Sequence, residues 1–550
     1  MDTQWFRFDH LSLFIGGFVV FFSALTLMYS IGFMKGKKGL ISYYLYLIFT
    51  MLASLGVVFS NHLVLFLVLW GFLGFLLYLL ILFGDSERTS YTAKKTFIII
   101  GGTDALMLLG ISILWRLQGS FQMDEISLTL SSKAAILAYG CLAAGAFAKA
   151  GAMPFHTWVP DTAQDAPIPV TAYLPASLDK LLGIYFLTRL SLDMFQMNLA
   201  MNTVLMIVGS VTIVAAVMMA LVQHDFKKLL GYHAVSQVGY MVLGIGTGNS
   251  VGISGGLFHM LNHAIYKACL FLGAGAVEKR TGTTDLAKLG ALGTVMPITF
   301  LSFLVAAFAI SGIPPLNGFA SKWMVYQGII ETAKAGGYLW ILWLVAAMFG
   351  SALTLASFMK LIHAVFLGQS FQEQKGTIPQ TRDVGPMMLI PALTLASLCI
   401  FFGVFAYPVP LKMFILPGLG EGVTFLGMWQ ASLATILILA GIILGFVIYF
   451  LGSMTKTRET ETFVGGELIK NHPDMRVSGT EFYNTIQEIG PLKIIYRLAE
   501  KKIFDLYDVG TQITFGFNKF LSYLHNGVLP TYLAWCLLGL GILFYLLLIR

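Results

Sequence analysis

The sequence predicts an all-α polytopic membrane protein: about fourteen transmembrane helices, two inverted five-helix repeats each with a Pro-broken helix, and a C-terminal lateral amphipathic helix. Three observations predict it. Of 550 residues, 57% are hydrophobic and 11% charged, under half the roughly 25% charged share of a soluble chain. That balance excludes a soluble enzyme, a disordered chain and a nucleic-acid-binding domain. Apolar runs recur at about the 20-residue length that a bilayer core requires. Two of those runs carry proline at matching places.

The runs fall near 10–33, 40–59, 61–83, 93–116, 132–158, 167–190, 199–223, 225–246, 251–275, 293–332, 337–366, 386–409, 427–452 and 529–549. They divide the chain into an N-terminal helix (1–39), a first repeat (40–190), a second repeat (199–366), additional helices (386–452), a polar and amphipathic segment (453–528) and a final span (529–550). The run 293–332 is too long for one span and contains Pro314-Pro315, so a break is expected there. No cleaved leader is expected, because Asp2 and Asp9 precede the first run and no small-residue cleavage site follows.

Charge sets the expected orientation. With the N-terminus outside, the inner loops hold Lys35, Lys37, Lys38, Arg88, Lys94, Lys95, Lys227, Lys228, Lys279, Arg280, Lys288, Lys375 and Arg382. The outer segments hold only Arg7, Arg116, Lys133, Arg189, Lys334, Lys412 and Arg550. Segment 453–528 adds nine more basic residues inside. Positive charge collects in inner loops, so a multi-pass protein of the cell (inner or cytoplasmic) membrane with both termini outside is expected. Most of the net charge of +7 is then topological. Within 453–528, residues 456–490 are polar, with Gly465-Gly466 and Pro473. From Pro491 to Asn526 apolar and charged residues alternate too closely to span, so a surface helix bent at Gly510 and Gly516 is expected. Neighbouring subunits and lipid are its expected contacts.

The repeat rests on two pairs of stretches in the same order: 146–154 against 307–315, and 176–181 against 356–361. Five helices separate the first pair, and an odd offset inverts the second unit. Inverted repeats with an interrupted helix in each half mark transporter cores, with ion sites near the breaks. The carbonyls freed at a break need water or polar partners, so a break lines a cavity.

Ionisable residues inside spans cost about 2.5–3.5 kcal/mol each on insertion scales. They are therefore the strongest functional signal. Lys149 precedes the first break and Lys322 follows the second; Asp104, Asp179, Lys180 and Lys360 also lie in spans. His259, His263 and Lys267 are four apart, about 40° per step around a helix, and share one face. Each has a plainer reading: Lys360 and His363 snorkelling near a helix end, Asp104 as a structural partner of a lysine, His156 and Asp161 capping the first break. The chemistry of the row suits protons. An ammonium taken out of water gives up its proton more readily, and histidine relays protons between two ring nitrogens. Sodium prefers oxygen ligands, and these spans are poor in carboxylates. Cys141, Cys269, Cys399 and Cys536 show no metal-ligand or disulfide spacing, and no Gly-rich phosphate loop follows a strand. No cofactor, no metal and no catalytic chemistry of its own are expected; any electrons would run through another subunit.

These stretches resemble the antiporter-like subunits of respiratory complex I (NADH-quinone oxidoreductase), of Mrp-type sodium/proton antiporters and of energy-converting membrane hydrogenases, most of all the subunit 5 branch. The matching segments are 149–161, 166–172, 225–240, 258–267 and 312–322; the resemblance covers roughly residues 10–370. It implies that Lys149 is the central switching lysine, that Lys267 with His259 and His263 is the connecting relay, that Lys322 is the exit lysine and that Lys180 is a relay lysine. The sequence departs from the pattern in three places. Gly71 follows Trp70 where the family has glutamate, leaving Asp104 or Asp179 as substitutes. Pro175 stands where the subunit 5 branch has histidine. The first span resembles the family's third, so two preceding helices are expected from another subunit. The resemblance implies a proton-translocating subunit of a redox-driven complex, whose partners are further antiporter-like subunits and a redox module. The rivals are a scaffold that conducts nothing, a proton-driven energiser of inorganic-carbon uptake with a zinc-containing soluble partner, and an Mrp-type Na⁺/H⁺ antiporter subunit.

Overall fold

The computed structural model describes residues 5–368, 382–420, 422–426, 431–452 and 479–548. Lys375, Gly465-Gly466, Pro473 and most of the polar segment lie outside the described residues. The chain forms two compact units, Met1–Glu488 and Ile489–Arg550.

The first unit is a helical bundle, and polar residues punctuate it where the sequence demands. The first helix, α1 (His10–Phe33), starts at a capping box in which Asp9 accepts from the Ser12 N–H and Ser12 Oγ accepts from the Asp9 N–H. Helices α2 (Leu40–Phe59), α3 (Leu63–Ile81) and α4 (Thr89–Gln118) follow. Ser132 caps α5 (Lys133–Ala150), which stops at Gly151. After a non-helical stretch the chain resumes as α6 (Trp158–Asp165), then α7 (Ile168–Tyr173) and α8 (Asp179–Thr188). Next come α9 (Leu199–Leu221), α10 (Phe226–Gly246) and α11 (Ser250–Thr281), each opened by an Asn or Asp cap. The second interrupted element is α12 (Pro297–Ser311) with α13 (Asn317–Glu331). The unit closes with α14 (Leu339–Ile362), α15 (Pro386–Val404), α16 (Leu416–Leu419), α17 (Ala431–Leu451) and α18 (Asn484–Glu488). The strands are minor: Leu128–Thr129 pairs in parallel with Phe195–Gln196.

Among the described residues, ten helices are long and apolar enough to cross a membrane. The other four expected spans depart for physical reasons. Run 293–332 is two halves. Run 225–246 is the continuous α10, made polar by Lys227, Lys228, His233 and Gln237. Run 427–452 contributes a shorter apolar helix. Run 167–190 is irregular because Pro175 has no N–H to donate. There Leu174–Leu178 widen into a π-helical turn, and Ser177 Oγ donates to the Ala172 carbonyl at 2.8 Å.

Helix α11 is the axis of the unit. It is 32 residues long, and its membrane-length window is buried completely. It packs against α7, α10, α12, α13 and α15. Beside it, Ile213 of α9, Tyr240 of α10, Val325 of α13 and Trp343 of α14 share one apolar cluster.

The second unit holds α19 (Gly490–Glu500), α20 (Leu506–Leu524) and α21 (Leu529–Leu548). The expected single surface helix is two. Its break lies at 501–505, where Lys502 takes a left-handed conformation with φ of 58° and Asp505 caps the next helix through the Tyr507 N–H. Helix α20 runs through Gly510 and Gly516, which do not interrupt it.

Candidate functional site

Both interrupted helices end in the same way. The N–H of Gly151 bonds to the Ala148 carbonyl and that of Ala152 to Phe147. The N–H of Gly312 bonds to Ala309 and that of Ile313 to Phe308. Both glycines are left-handed, with φ of 77° and 81°, a conformation that costs other residues dearly. A lysine ammonium lies near each. A Cβ added to Gly151 would stand 2.9 Å from Lys180 Nζ, and one added to Gly312 would stand 3.9 Å from Lys322 Nζ.

At the first break, Lys149 is fully buried on the last turn of α5. Its Nζ donates to the Trp70 carbonyl at 3.4 Å and lies 5.0 Å from the centre of the Trp70 ring. Asp104 and Asp179 are the carboxylates that interact with it electrostatically. Asp104 Oδ2 lies 3.7 Å from the point where Gly71 would carry a Cβ. The space beside position 71 of α3, where the resemblance implies a carboxylate, thus receives one from α4. Asp179 is buried at the start of α8, and its Oδ2 has no hydrogen-bond partner. Lys180 is next to it, 5.8 Å from the Trp158 ring centre, its ammonium likewise without a protein partner.

The α11 face carries the row onward. Both ring nitrogens of His263 and the Nζ of Lys267 are buried without protein partners. Lys180 and Lys267 are among the charges that His263 feels. Lys267 Nζ stands over Phe271 and Phe358, at 5.7 and 5.8 Å. His259 is more firmly held: Nδ1 pairs with Ser321 Oγ at 3.0 Å and Nε2 with Gln237 Oε1 at 3.1 Å. At the second break, Lys322 Nζ donates to the freed Ile310 carbonyl at 2.8 Å and sits 4.9 Å from the Tyr240 ring centre. Asn262 Nδ2 donates to the Asn317 carbonyl at 2.8 Å, while both side-chain amide atoms of Asn317 stay unpaired. Buried polar atoms in a bilayer need partners, and this string of nitrogens and oxygens finds none among the described protein groups.

Lys360 and His363, paired in the sequence reading, part company. Lys360 is fully buried, and its Nζ donates to the Leu221 and Gln223 carbonyls that close α9. His363 is exposed and packs on Phe482. Lys95 and Asp161 form an ion pair at 2.8 Å, which ties α4 to the helix after the first break. Sequence reasoning passed over the polar face of α10. His233, Gln237 and Tyr240 recur there at helical spacing in an otherwise apolar run, which was the available signal. Among the described residues, no group of three His, Cys, Asp or Glu side chains gathers in a metal-binding arrangement.

Residues 60–354 match the family described as NADH:quinone oxidoreductase/Mrp antiporter, transmembrane. The chain is 34% identical over 423 residues to the A1 subunit of a Na(+)/H(+) antiporter from Staphylococcus haemolyticus, covering 72% of this chain and 52% of that protein. It is 31% identical over 477 residues to a Na(+)/H(+) antiporter subunit of Alkalihalophilus pseudofirmus, covering 80% and 59%. The chain therefore spans about half the length of the curated relatives it matches. Two solved structures share its fold. One protein of the Mrp complex from Dietzia sp. DQ12-45-1b has a TM-score of 0.69 at 21% identity, covering 75% of this chain and 84% of that one. One protein of the membrane-bound sulfane sulfur reductase, an archaeal respiratory membrane complex, has a TM-score of 0.81 at 24% identity, covering 98% and 89%.

Proposed function

Because the chain belongs to the NADH:quinone oxidoreductase/Mrp antiporter membrane family, we propose that it is an antiporter-like subunit that moves protons within a larger, redox-driven membrane complex. The carrying observation is the buried row itself. Lys149, Lys180, His263, Lys267 and Lys322 follow one another through the middle of the bundle, three of them with unpaired polar atoms. Lysine and histidine bind and release protons, and water between them completes the path. In this reading Lys149 is the switch, with Asp104 and Asp179 as its counter-charges. Lys180, His263, Lys267 and His259 are the relay and Lys322 the exit. Lys360 serves the path from the end of α9.

The reading includes two five-helix units of opposite orientation, 40–190 and 199–366, about fourteen spans in all, and both termini outside. The equivalent closures at Gly151 and Gly312 support the repeat. The distribution of basic residues supports the orientation. Subunits that brace one another are the expected partners, and the amphipathic helices of the second unit are suited to such contacts.

The test is proton translocation by the intact complex in everted membrane vesicles. Lys149→Ala and Lys267→Ala should each abolish most of it while the complex still assembles. Wild-type translocation in both variants would sink this route. A second reading, a Na⁺/H⁺ antiporter subunit, is favoured by the names of the relatives. Under it, a sodium pulse alone should drive proton movement, and iron–sulfur or quinone-site subunits should not co-purify.

A further inference from the structure

A fully buried histidine lies outside the row. His233 of α10 pairs through Nε2 with Ser357 Oγ of α14 at 2.7 Å, and its Nδ1 has no hydrogen-bond partner. Its ring packs on Phe358 with centroids 4.9 Å apart. Lys267 Nζ stands 5.8 Å from the centre of that same ring. Lys267 and Lys322 are the charged groups that His233 feels.

The other side of His233 leads to a membrane face. Ser357 and Lys360 are three residues apart on α14, hence on one side of it. Lys360 Nζ holds the Leu221 and Gln223 carbonyls, where α9 gives way to α10. That face is also the C-terminal end of α11, because Lys227 pairs with Glu278 at 2.9 Å. At 1.5 Å per residue, His233 lies about 10 Å along its helix from that face and Lys267 about 21 Å along its own. His233 thus occupies the gap between the surface and the central lysine.

We propose that Lys360, Ser357 and His233 form a proton inlet that recharges Lys267 from the face where α10 begins. This rests on the proton-translocating reading above. In the tautomer whose Nε2 accepts from the Ser357 hydroxyl, Nε2 takes that proton while the hydroxyl receives one from the Lys360 side. The imidazolium then gives its Nδ1 proton, through water, to the neutral amine that Lys267 becomes after passing its proton along the row, and a ring flip returns the imidazole to the starting tautomer. One proton enters for each that leaves, and no bond other than O–H and N–H changes.

The experiment compares His233→Asn, Ser357→Ala and Lys267→Ala in the intact complex, in everted vesicles with a fluorescent pH probe. His233→Asn should slow translocation by about tenfold or more, the scale of a lost proton-transfer group. Added imidazole should restore part of the rate in His233→Asn and none in Lys267→Ala, which a merely structural clamp between α10 and α14 would not do. Ser357→Ala, which deletes only a hydroxyl, should slow translocation too and carries the test if His233→Asn fails to assemble. Wild-type rates in His233→Asn or Ser357→Ala beside a dead Lys267→Ala would overturn the inlet alone. Wild-type rates in Lys267→Ala would overturn the inlet together with its acceptor, and wild-type rates in Lys149→Ala as well would overturn the parent reading.

Discussion

Asp104 shows how a single side chain can reach the space beside a glycine on a neighbouring helix. Its Oδ2 stands 3.7 Å from the Cβ position of Gly71, beside the Trp70 that Lys149 touches. A buried ammonium needs a counter-charge, and the source helix matters less than where the oxygen arrives. Asp104→Asn is expected to lower proton translocation by about tenfold. Gly71→Glu in that background should restore it, whereas Gly71→Glu alone would set two carboxylates side by side and lower activity. Vesicle translocation assays on the three variants check this; no rescue in the double variant would count against the exchange. Asp9, at the helix end outside the span, offers a pH test. Burial pushes its carboxyl up, but the hydrogen bond and charge of Arg189, the Ser12 N–H and the charge of Arg7 outweigh burial and hold it at about 2. A depressed carboxyl stabilises the fold fully above its ordinary value and loses that contribution as pH falls through its folded value. Thermal midpoints of the purified complex should therefore fall between about pH 4 and pH 2, and Asp9→Asn should flatten that part of the curve.

Elements are where the chain obeys its sequence most and least. The two breaks were legible, since glycine followed by proline ends a helix for steric reasons. The lysines were legible because charge stands out in apolar runs. The wide turn at Leu174–Leu178 was not, because Pro175 sits in a run whose hydropathy alone reads as one span. The division of the amphipathic segment was misplaced for a related reason. Glycine lowers helix propensity by only about 1 kcal/mol, which α20 absorbs at Gly510 and Gly516, whereas the capping Asp505 starts a new helix. His233 went unremarked because, unlike His259 and His263, it has no second histidine or lysine three or four residues away to mark its helix face. Gly151 carries the element-scale prediction. Alanine there would have to hold a φ of 77° and would meet Val159 Cγ2 at 2.6 Å and Lys180 Nζ at 2.9 Å. Gly151→Ala should cost about 1–2 kcal/mol from the backbone alone, read as a lower thermal midpoint, and should impair translocation by moving Lys180.

At the scale of the molecule, apolar composition accounts for the bundle, and the few polar side chains account for its middle. The outer helices present long apolar faces: Leu339, Leu342, Val345 and Phe349 of α14 are all exposed, as suits contact with lipid or another subunit. The central helix presents none. Because the membrane-length window of α11 is buried on every side, acyl chains never reach it. A carbene reagent dissolved in the bilayer and activated by light should therefore mark α1, α2 and α14 and leave α11 blank, however greasy its sequence. By the same token, the thickness and composition of the lipid can act on His263 and Lys267 only second-hand, through the helices that stand between them and the bilayer.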